Sequence, residues 1–128
     1  MGGMDKVSKA DKKIHILVVD DHALFRRGVI SLLTEVSDFS VVGQAGDANE
    51  AIKLSESLKP DVVLLDNHLP GASGIQSIKD IVQASPESSI IILTVSEDEA
   101  DLTQALKNGA QGYFLKTIER DDLIAGIR

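Results

Sequence analysis

The sequence predicts a doubly wound α/β domain, in which a five-stranded parallel sheet is covered by helices on both faces. Apolar runs of the length expected for buried strands alternate five times with segments of helical periodicity. The connecting segments are short, so the strands are expected to share one sheet against which the helices pack. Several strands also stop on a charged or hydroxyl side chain, as they do at the ligand-binding edge of such sheets.

In the first half of the chain, the pattern begins with a buried-type strand at Ile14–Val19. A helix is predicted over His22–Val36, because apolar residues recur along it at helical spacing. A second strand follows at Phe39–Ala45. Asp47 is placed to cap the next helix, which ends before Pro60. The side chains expected to face the core from these two helices are Phe25, Val29, Leu32, Leu33 and Val36, then Ala48, Ala51, Ile52, Ser55 and Leu58.

The central strand is the unbroken apolar run Val62–Leu65, which ends on Asp66 and suits a strand buried on both faces. A Leu-Pro-Gly turn follows. The next helix ends near Pro86 and is expected to face the core with Ile75, Ile78 and Val82. The remaining elements are a strand, a helix ended by Gly109, a fifth strand and a last helix. They are predicted over Ser89–Val95, Glu97–Asn108, Gln111–Leu115 and Ile118–Arg128.

Composition limits the kinds of function. The 128 residues contain no cysteine, which excludes disulfides, thiolate metal sites and thiol catalysis. The formal charge of −7 argues against holding nucleic acid by phosphate neutralisation. No apolar run is long enough for a membrane helix and no signal-peptide pattern is present, so we expect a cytoplasmic protein without a membrane partner. The apolar-poor stretch Met1–Lys13 predicts a disordered leader, in part an expression remnant, ahead of one domain over 14–128.

Polar side chains at the ends of four strands predict one site at the carboxyl edge of the sheet. They are Asp20, Asp21, Asp66, Thr94 and Lys116. Three carboxylates on one edge repel each other unless a cation neutralises them, and ligands that are all oxygen favour Mg²⁺. A hydroxyl and a lysine suit a phosphoryl group that arrives with this ion, and a carboxylate can be its nucleophile. Taken singly, each residue also has an ordinary interpretation, as a helix cap, a strand residue or a solvated charge.

Four segments carry a resemblance to a known family: VVDD at 18–21, LLDNHLPGASG at 64–74, LTVS at 93–96 and GYFLK at 112–116. In this order and spacing they resemble the receiver domain of bacterial two-component response regulators. The resemblance runs from Ile14 to the end of the chain and is greatest for the NarL/LuxR-type subgroup. It implies a flavodoxin-like fold with strand order 2-1-3-4-5, an order that periodicity alone does not give.

The resemblance implies that Asp66 is the phosphoacceptor and that Mg²⁺ is the cofactor. Asp20 and Asp21 would hold Mg²⁺ directly or through water, together with Asp66 and the backbone carbonyl of His68. The phosphohistidine of a sensor histidine kinase would be the phosphoryl donor. The domain would catalyse only its own phosphorylation and dephosphorylation, and so would not be an enzyme acting on a separate substrate.

The same resemblance implies how the phosphoryl group is sensed. Thr94 would hydrogen-bond one phosphoryl oxygen and Lys116 would pair with another, while Tyr113 is the aromatic ring whose rotation accompanies the active state. We hypothesise that the altered surface controls homodimer formation or an output domain. Members of the subgroup usually carry a helix-turn-helix DNA-binding domain after the receiver. We therefore expect this chain to be excised from a longer transcription factor, which would bind DNA only through that output domain.

Three positions depart from the common receiver pattern and bear on the lifetime of the phosphorylated state. Asn67 is polar where an apolar residue is usual, His68 has a side chain near the phosphoryl group, and Val95 is bulkier than the usual alanine. The three histidines of the chain do not have the spacing of metal ligands, so a zinc site is not expected from them.

Three rival functions stay open on the sequence alone. A haloacid-dehalogenase-type phosphatase would need a second aspartate two residues after its nucleophile, and His68 stands there instead. A nucleotide-binding enzyme would need a glycine-rich loop after the first strand. A degenerate receiver, acting as a phosphorylation-independent binding module, would be expected to lack an acidic residue or the lysine, and none of these is missing.

Overall fold

A computed structural model of the chain describes residues 13–69, 72–95 and 98–128. Within these residues five strands form one parallel sheet: β1 (Ile14–Val19), β2 (Phe39–Ala45), β3 (Val62–Asp66), β4 (Ser89–Thr94) and β5 (Gly112–Leu115). The same residues contain five helices: α1 (Ala23–Thr34), α2 (Ala48–Leu58), α3 (Gly74–Ala84), α4 (Glu99–Asn108) and α5 (Arg120–Ile127). The predicted alternation of strands and helices is confirmed. The predicted leader lies outside the described residues apart from Lys13.

The strand order is β2-β1-β3-β4-β5, and each neighbouring pair is parallel. This is the order that the resemblance implied. The chain passes from β1 to β2 on one side and later to β3, β4 and β5 on the other, which leaves a crevice at the carboxyl ends of β1 and β3. Val19 pairs with Leu65, so the residues that follow them, Asp20 and Asp66, lie side by side at the edge of the sheet.

The hydrophobic core forms two layers, one on each face of the sheet. Helices α2, α3 and α4 cover one face, and α1 and α5 cover the other. Because successive side chains of a strand alternate, Val63 and Leu65 enter the first layer, whereas Val62 and Leu64 enter the second. The central strand is therefore buried on both faces, as its unbroken apolar run predicted.

Several predicted elements are one to three residues too long at an end. Helix α1 ends at Thr34, and Val36 is a buried turn residue whose N–H donates to the Leu33 carbonyl at 3.1 Å. Strand β4 ends at Thr94, which leaves the Val95 side chain 69% exposed. The turn at Val36 depends on backbone hydrogen bonding, which apolar spacing does not reveal.

The last two helices also begin later than predicted. Helix α5 starts at Arg120, because the Ile118 N–H closes a turn onto the Leu115 carbonyl at 3.0 Å instead of entering the helix. Helix α4 is described from Glu99, with Asp98 as its cap, and the predicted first residue Glu97 lies outside the described residues.

Two of the predicted caps are confirmed. The Asp47 side chain accepts the Glu50 N–H at 2.8 Å and so begins α2. Gly109 ends α4 with a φ of 119°, in the left-handed region that favours glycine. Among the side chains predicted to face the core, Leu58 lies over Gly43 of β2 but remains 37% exposed. The prediction omitted Ile81, which is fully buried.

A short antiparallel ladder, not predicted from the sequence, joins β3 to α3. His68 pairs with Ser73 and Leu69 with Ala72. The predicted turn residues Pro70 and Gly71 lie outside the described residues. None of the helices in the described ranges has the length and apolarity needed to cross a bilayer.

Candidate functional site

Two aspartates and a lysine form a buried cluster at the carboxyl edge of the sheet. Asp20 follows β1, Asp66 is the last residue of β3 and Lys116 follows β5. The Lys116 Nζ atom lies 2.8 Å from Asp20 Oδ2 and 3.3 Å from Asp66 Oδ2. Asp20 is 3% exposed and Asp66 is 2% exposed, so water screens these ion pairs weakly. The structure thus brings together three of the predicted site residues.

Backbone groups hold the three charged side chains in place. Asp20 Oδ1 accepts the His22 N–H at 2.8 Å, and Asp66 Oδ1 accepts the His68 N–H at 3.2 Å. The N–H of Lys116 donates to the Thr94 carbonyl at 2.7 Å, which fixes the chain just after β5. Each carboxylate therefore presents one oxygen to the lysine and the other to a backbone amide.

The cluster carries more negative than positive charge. Burial raises the pKa of Asp66, because removal of water penalises the charged form. The negative charge of Asp20 acts in the same direction, whereas the His68 N–H and the Lys116 ammonium lower this pKa. Two buried carboxylates share one ammonium group, so a further cation at this edge would relieve their repulsion.

A group of side chains able to bind a metal ion extends from the cluster toward solvent. Asp20, Asp21, His22 and Asp66 each place one donor atom within 4.8 Å of the others. Asp21 is partly exposed and His22 is mostly exposed, so the group opens onto water. Oxygen atoms of carboxylates are the ligands that Mg²⁺ prefers, and the residues present therefore fit this ion. The sequence predicted the three aspartates here, but it did not predict His22.

His68 enters the site through its backbone. Its N–H binds Asp66, while its side chain is exposed and is not among the clustered donor atoms of the described residues. The role predicted for its carbonyl oxygen as a metal ligand stays a prediction.

Thr94 and Tyr113 lie on the same face of the sheet. Thr94 is fully buried at the end of β4, two residues after Ile92. Tyr113 pairs with Ile92 across β4 and β5 and packs, partly buried, against the core layer of α2, α3 and α4. Because side chains two residues apart in a strand share a face, Thr94 also points toward this layer. The two predicted switch residues are thus near neighbours below α4.

Asn67 shows how a polar residue is accommodated next to Asp66. The residue is 3% exposed, and its Nδ2 atom donates to Asp101 Oδ2 in α4 at 3.3 Å. Its Oδ1 atom is buried and has no hydrogen-bond partner among the described residues. The amide therefore connects the segment after β3 to the first turns of α4 at a cost in solvation.

Two residues of α1 make contacts that the sequence analysis missed. The Phe25 ring centroid lies 4.5 Å from Lys116 Nζ, a cation–π contact. The Arg26 guanidinium donates to the backbone carbonyl of Asp20 and to Gln44 Oε1. Phe25 was on the predicted apolar stripe, which would have placed it near the sheet edge, but no pattern in the sequence marks Arg26.

The fold and this edge define a flavodoxin-like domain of the receiver class. Residues 16–128 match the model of the response regulator receiver domain family. The chain therefore belongs to that family.

Relatives place the chain with the NarL/LuxR-type members. It is 40% identical to the nitrate/nitrite response regulator NarL of Escherichia coli K12 over 112 residues, which are 88% of this chain and 52% of NarL. The signal receiver domain of a NarL response regulator from Mycobacterium tuberculosis has a TM-score of 0.85 and 33% identity, with coverage of 91% of this chain and 94% of that one.

A third similar protein is a response regulator from Burkholderia pseudomallei, solved with a phosphorylated aspartic acid, a calcium ion and citrate. Its TM-score is 0.79 at 30% identity, and the match covers 89% of this chain and 66% of that one. This chain spans about half the length of the curated relatives that it matches.

Proposed function

We propose that this chain is the phosphoacceptor domain of a two-component response regulator, and that Asp66 takes a phosphoryl group from the phosphohistidine of a sensor histidine kinase. The observation that carries the proposal is the position of Asp66. Its carboxylate is buried at the end of the central strand, 3.3 Å from the Lys116 ammonium and beside Asp20. The similar protein with a phosphorylated aspartic acid supports this assignment.

In the proposed reaction, an oxygen of the Asp66 carboxylate attacks phosphorus and the bond from phosphorus to the donor nitrogen breaks. The histidine of the kinase leaves with the electron pair of that bond. Lys116, now paired with both carboxylates, would turn toward the new phosphoryl oxygens. Thr94 would donate its hydroxyl hydrogen to another of these oxygens.

Asp20, Asp21 and Asp66 would hold Mg²⁺, with the His68 carbonyl as a further ligand. When bound, this ion would neutralise negative charge on the carboxylates and on the incoming phosphoryl group. The domain would act on no separate substrate, since only its own side chain is phosphorylated and later dephosphorylated.

The response of the whole protein would follow from a change in surface. Phosphorylation would favour a second packing of Thr94, Tyr113 and α4, and this packing would control homodimer formation or an output domain. The match covers 52% of the NarL relative, which supports a place for this domain in a longer protein. That protein would be a cytoplasmic transcription factor that binds DNA through its output domain.

Labelling with acetyl phosphate tests the phosphoacceptor. The parent domain should gain one phosphoryl group in Mg²⁺ but not in EDTA, as seen by intact mass. Asp66→Asn should abolish labelling, because an amide is not a nucleophile here. Asp80→Asn, at an exposed position in α3, is the matched control and should label as the parent does.

Two outcomes would contradict the proposal. Unchanged labelling of the Asp66→Asn variant would show that another residue accepts the phosphoryl group. A parent domain that folds and binds Mg²⁺ but accepts no phosphoryl group would favour the degenerate, binding-only receiver.

A further inference from the structure

A cavity of about 330 Å³ lies between α1, α5 and the end of β4, on the face of the sheet opposite Thr94 and Tyr113. Its inner wall is made of buried side chains of the core layer, among them Leu93 and Leu123. Its outer wall includes Leu24 of α1, which is 81% exposed. The cavity therefore runs from the core out to solvent.

The lining of the cavity is almost entirely apolar. Eight of its ten lining residues are apolar side chains or glycine. Phe25, Leu32 and Ile118 are only partly buried, and with Leu24 they leave apolar surface facing the space. Because apolar surface in contact with water is unfavourable, an occupant with an apolar body would be stabilised here.

Gly28, in the middle of α1, keeps part of this space open. A glycine inside a helix is destabilising by about 1 kcal/mol relative to alanine. Gly28 has no positive φ, and apart from the backbone of its own helix no heavy atom lies within 4 Å of a Cβ placed there. Neither backbone conformation nor close packing therefore requires glycine at this position, whereas a larger side chain would extend into the cavity.

The two charged residues of the lining are both cations, and no carboxylate of the described residues lines the cavity. Lys116 is already shared by Asp20 and Asp66. Arg120 has only one contact, from Nη1 to Asp121 Oδ1 at 3.2 Å, and the Asp121 side chain is 91% exposed. An exposed pair of this kind is weak, so the guanidinium is able to bind a second carboxylate through two of its N–H groups.

We propose that this cavity binds a small amphipathic monocarboxylate, with its apolar body between α1 and α5 and its carboxylate on Arg120. An apolar cavity of about 150 Å³ holds one benzene molecule, so the space here suits an apolar body of roughly twice that size. A single negative charge matches the lining, because Arg120 is the cation that buried carboxylates leave available. The inference goes beyond the proposed function and does not depend on phosphoryl transfer.

Methyl NMR of the metal-free domain tests the site, with phenylbutyrate as the probe and phenylbutanol as its neutral analogue. Phenylbutyrate should shift the methyl signals of Leu93 and Leu123, which line the cavity. It should leave in place those of Ile78 and Ile92, which lie in the other core layer. We expect the acid to bind about tenfold more tightly than the alcohol, because only the acid can pair with a guanidinium.

Two variants separate the carboxylate from the apolar body. Arg120→Met should bind the acid and the alcohol equally, whereas Arg27→Met, at an exposed position of α1 outside the lining, should keep the preference for the acid. Gly28→Leu should lose at least tenfold in affinity for both probes and melt no lower than the parent, because leucine favours the helix. Ser31→Leu is its control at an exposed position of the same helix and should bind as the parent does.

Four outcomes would overturn the proposal. The Leu93 and Leu123 signals could stay in place at millimolar phenylbutyrate, which would leave the cavity without this ligand. Equal binding of acid and alcohol by the parent would remove the role of Arg120. Unchanged affinity in Gly28→Leu would place the probe elsewhere, and equal shifts of Ile78 and Ile92 would show adsorption without a defined site.

Discussion

At Asp66, the ionised carboxylate that the proposed reaction needs is the form that burial makes less stable. Its carboxylate is almost fully buried and lies beside the carboxylate of Asp20, and both features favour the protonated form. The Lys116 ammonium and the His68 N–H compensate only in part, because the pKa of Asp66 is raised overall. The proposed nucleophile must nevertheless be ionised, so in the reactive form the native state bears the cost of a buried charge.

The effect on stability can be tested by removing this charge. The folded pKa of Asp66 lies above its unfolded value of about 3.9, so the folded state binds the proton more tightly. The stability gained from that proton is complete below the unfolded pKa and is lost as pH rises through the folded pKa. Asp66→Asn should therefore raise the free energy of unfolding at pH 7 and flatten its fall over this window.

Urea unfolding between pH 3 and pH 8 in EDTA measures this effect. Asp80→Asn serves again as the exposed control and should keep the pH slope of the parent. A less stable Asp66→Asn variant at pH 7, or one with the parent's slope, would show that Lys116 outweighs burial.

At the same scale, the sequence predicted residues whose role follows from a strand end. Asp20, Asp66 and Lys116 were found because parallel strands bring their carboxyl ends together. The orientation of each oxygen toward the lysine or toward an amide depends on the local backbone and was not predictable. His22 was missed because its partners are neighbours in space through a helix cap, not through a repeated spacing.

Helix α4 is tied to neighbouring segments by a side-chain hydrogen bond near each of its ends. Asn67 donates to Asp101 near the start of the helix, and Asn108 at its end donates to the Ile75 carbonyl at 2.9 Å. The first contact comes from the residue next to Asp66. A change at Asp66 can therefore reach α4 through one peptide unit and one hydrogen bond.

We expect Asn67→Leu to loosen the start of α4 without unfolding the domain. The variant loses a hydrogen bond to a carboxylate but also removes a buried oxygen that has no partner among the described residues. These effects are of similar size and opposite sign, so the free energy of unfolding should change by no more than about 1 kcal/mol. Amide hydrogen exchange in residues 102–105 should become several-fold faster.

Asn108→Ala provides the comparison, since it should affect exchange near the end of the helix instead. Unchanged exchange in residues 102–105 of Asn67→Leu would mean that the Asn67 contact does not restrain α4. A large loss in the free energy of unfolding of Asn67→Leu would mean that the Asn67 side chain stabilises the whole core and does not only restrain the start of α4.

The positions of strands and helices were predictable, while their ends were less so. Apolar spacing located every helix of the described residues, but Val36 and Val95 lie beyond the ends of the elements assigned to them and Ile118 lies before the start of α5. Asp47 and Gly109 were predicted correctly, because capping depends on their own chemistry. Element ends that are set by backbone turns leave no equivalent mark in the sequence.

Across the whole molecule, the two residues of the proposed switch share one core layer. Thr94 and Tyr113 face the layer of α2, α3 and α4, whereas α1 and α5 pack on the opposite face. Movement of Thr94 toward a phosphoryl group would open space on that side of β5. The ring of Tyr113 is the neighbouring group that could fill it.

Beryllofluoride with Mg²⁺ should reproduce the phosphorylated state and test this coupling. In NMR spectra, we expect the signals of Tyr113 and of α4 to shift together with those around Asp66. Signals of β2, at the far edge of the sheet, should change little. The Asp66→Asn variant is the control and should show none of these shifts. Shifts confined to the surroundings of Asp66 would leave the domain a phosphate acceptor without the proposed switch.

The fold class followed from the alternation of strand and helix patterns, but the order of the strands did not. The sequence of an apolar strand such as β3 does not specify which strands lie beside it, because main-chain hydrogen bonds are alike in every pair of parallel strands. The order came from the family resemblance, and the structure agrees with it.

The separation of the cluster along the chain has a consequence during synthesis. Lys116 lies 50 residues after Asp66, at the edge strand of the sheet. A ribosome adding 5–20 residues each second takes roughly 3–10 s to pass from one to the other. Through that interval the nascent chain contains Asp66 without the ammonium that pairs with it. Arrival of β5 therefore completes both the sheet and the charged cluster at its edge.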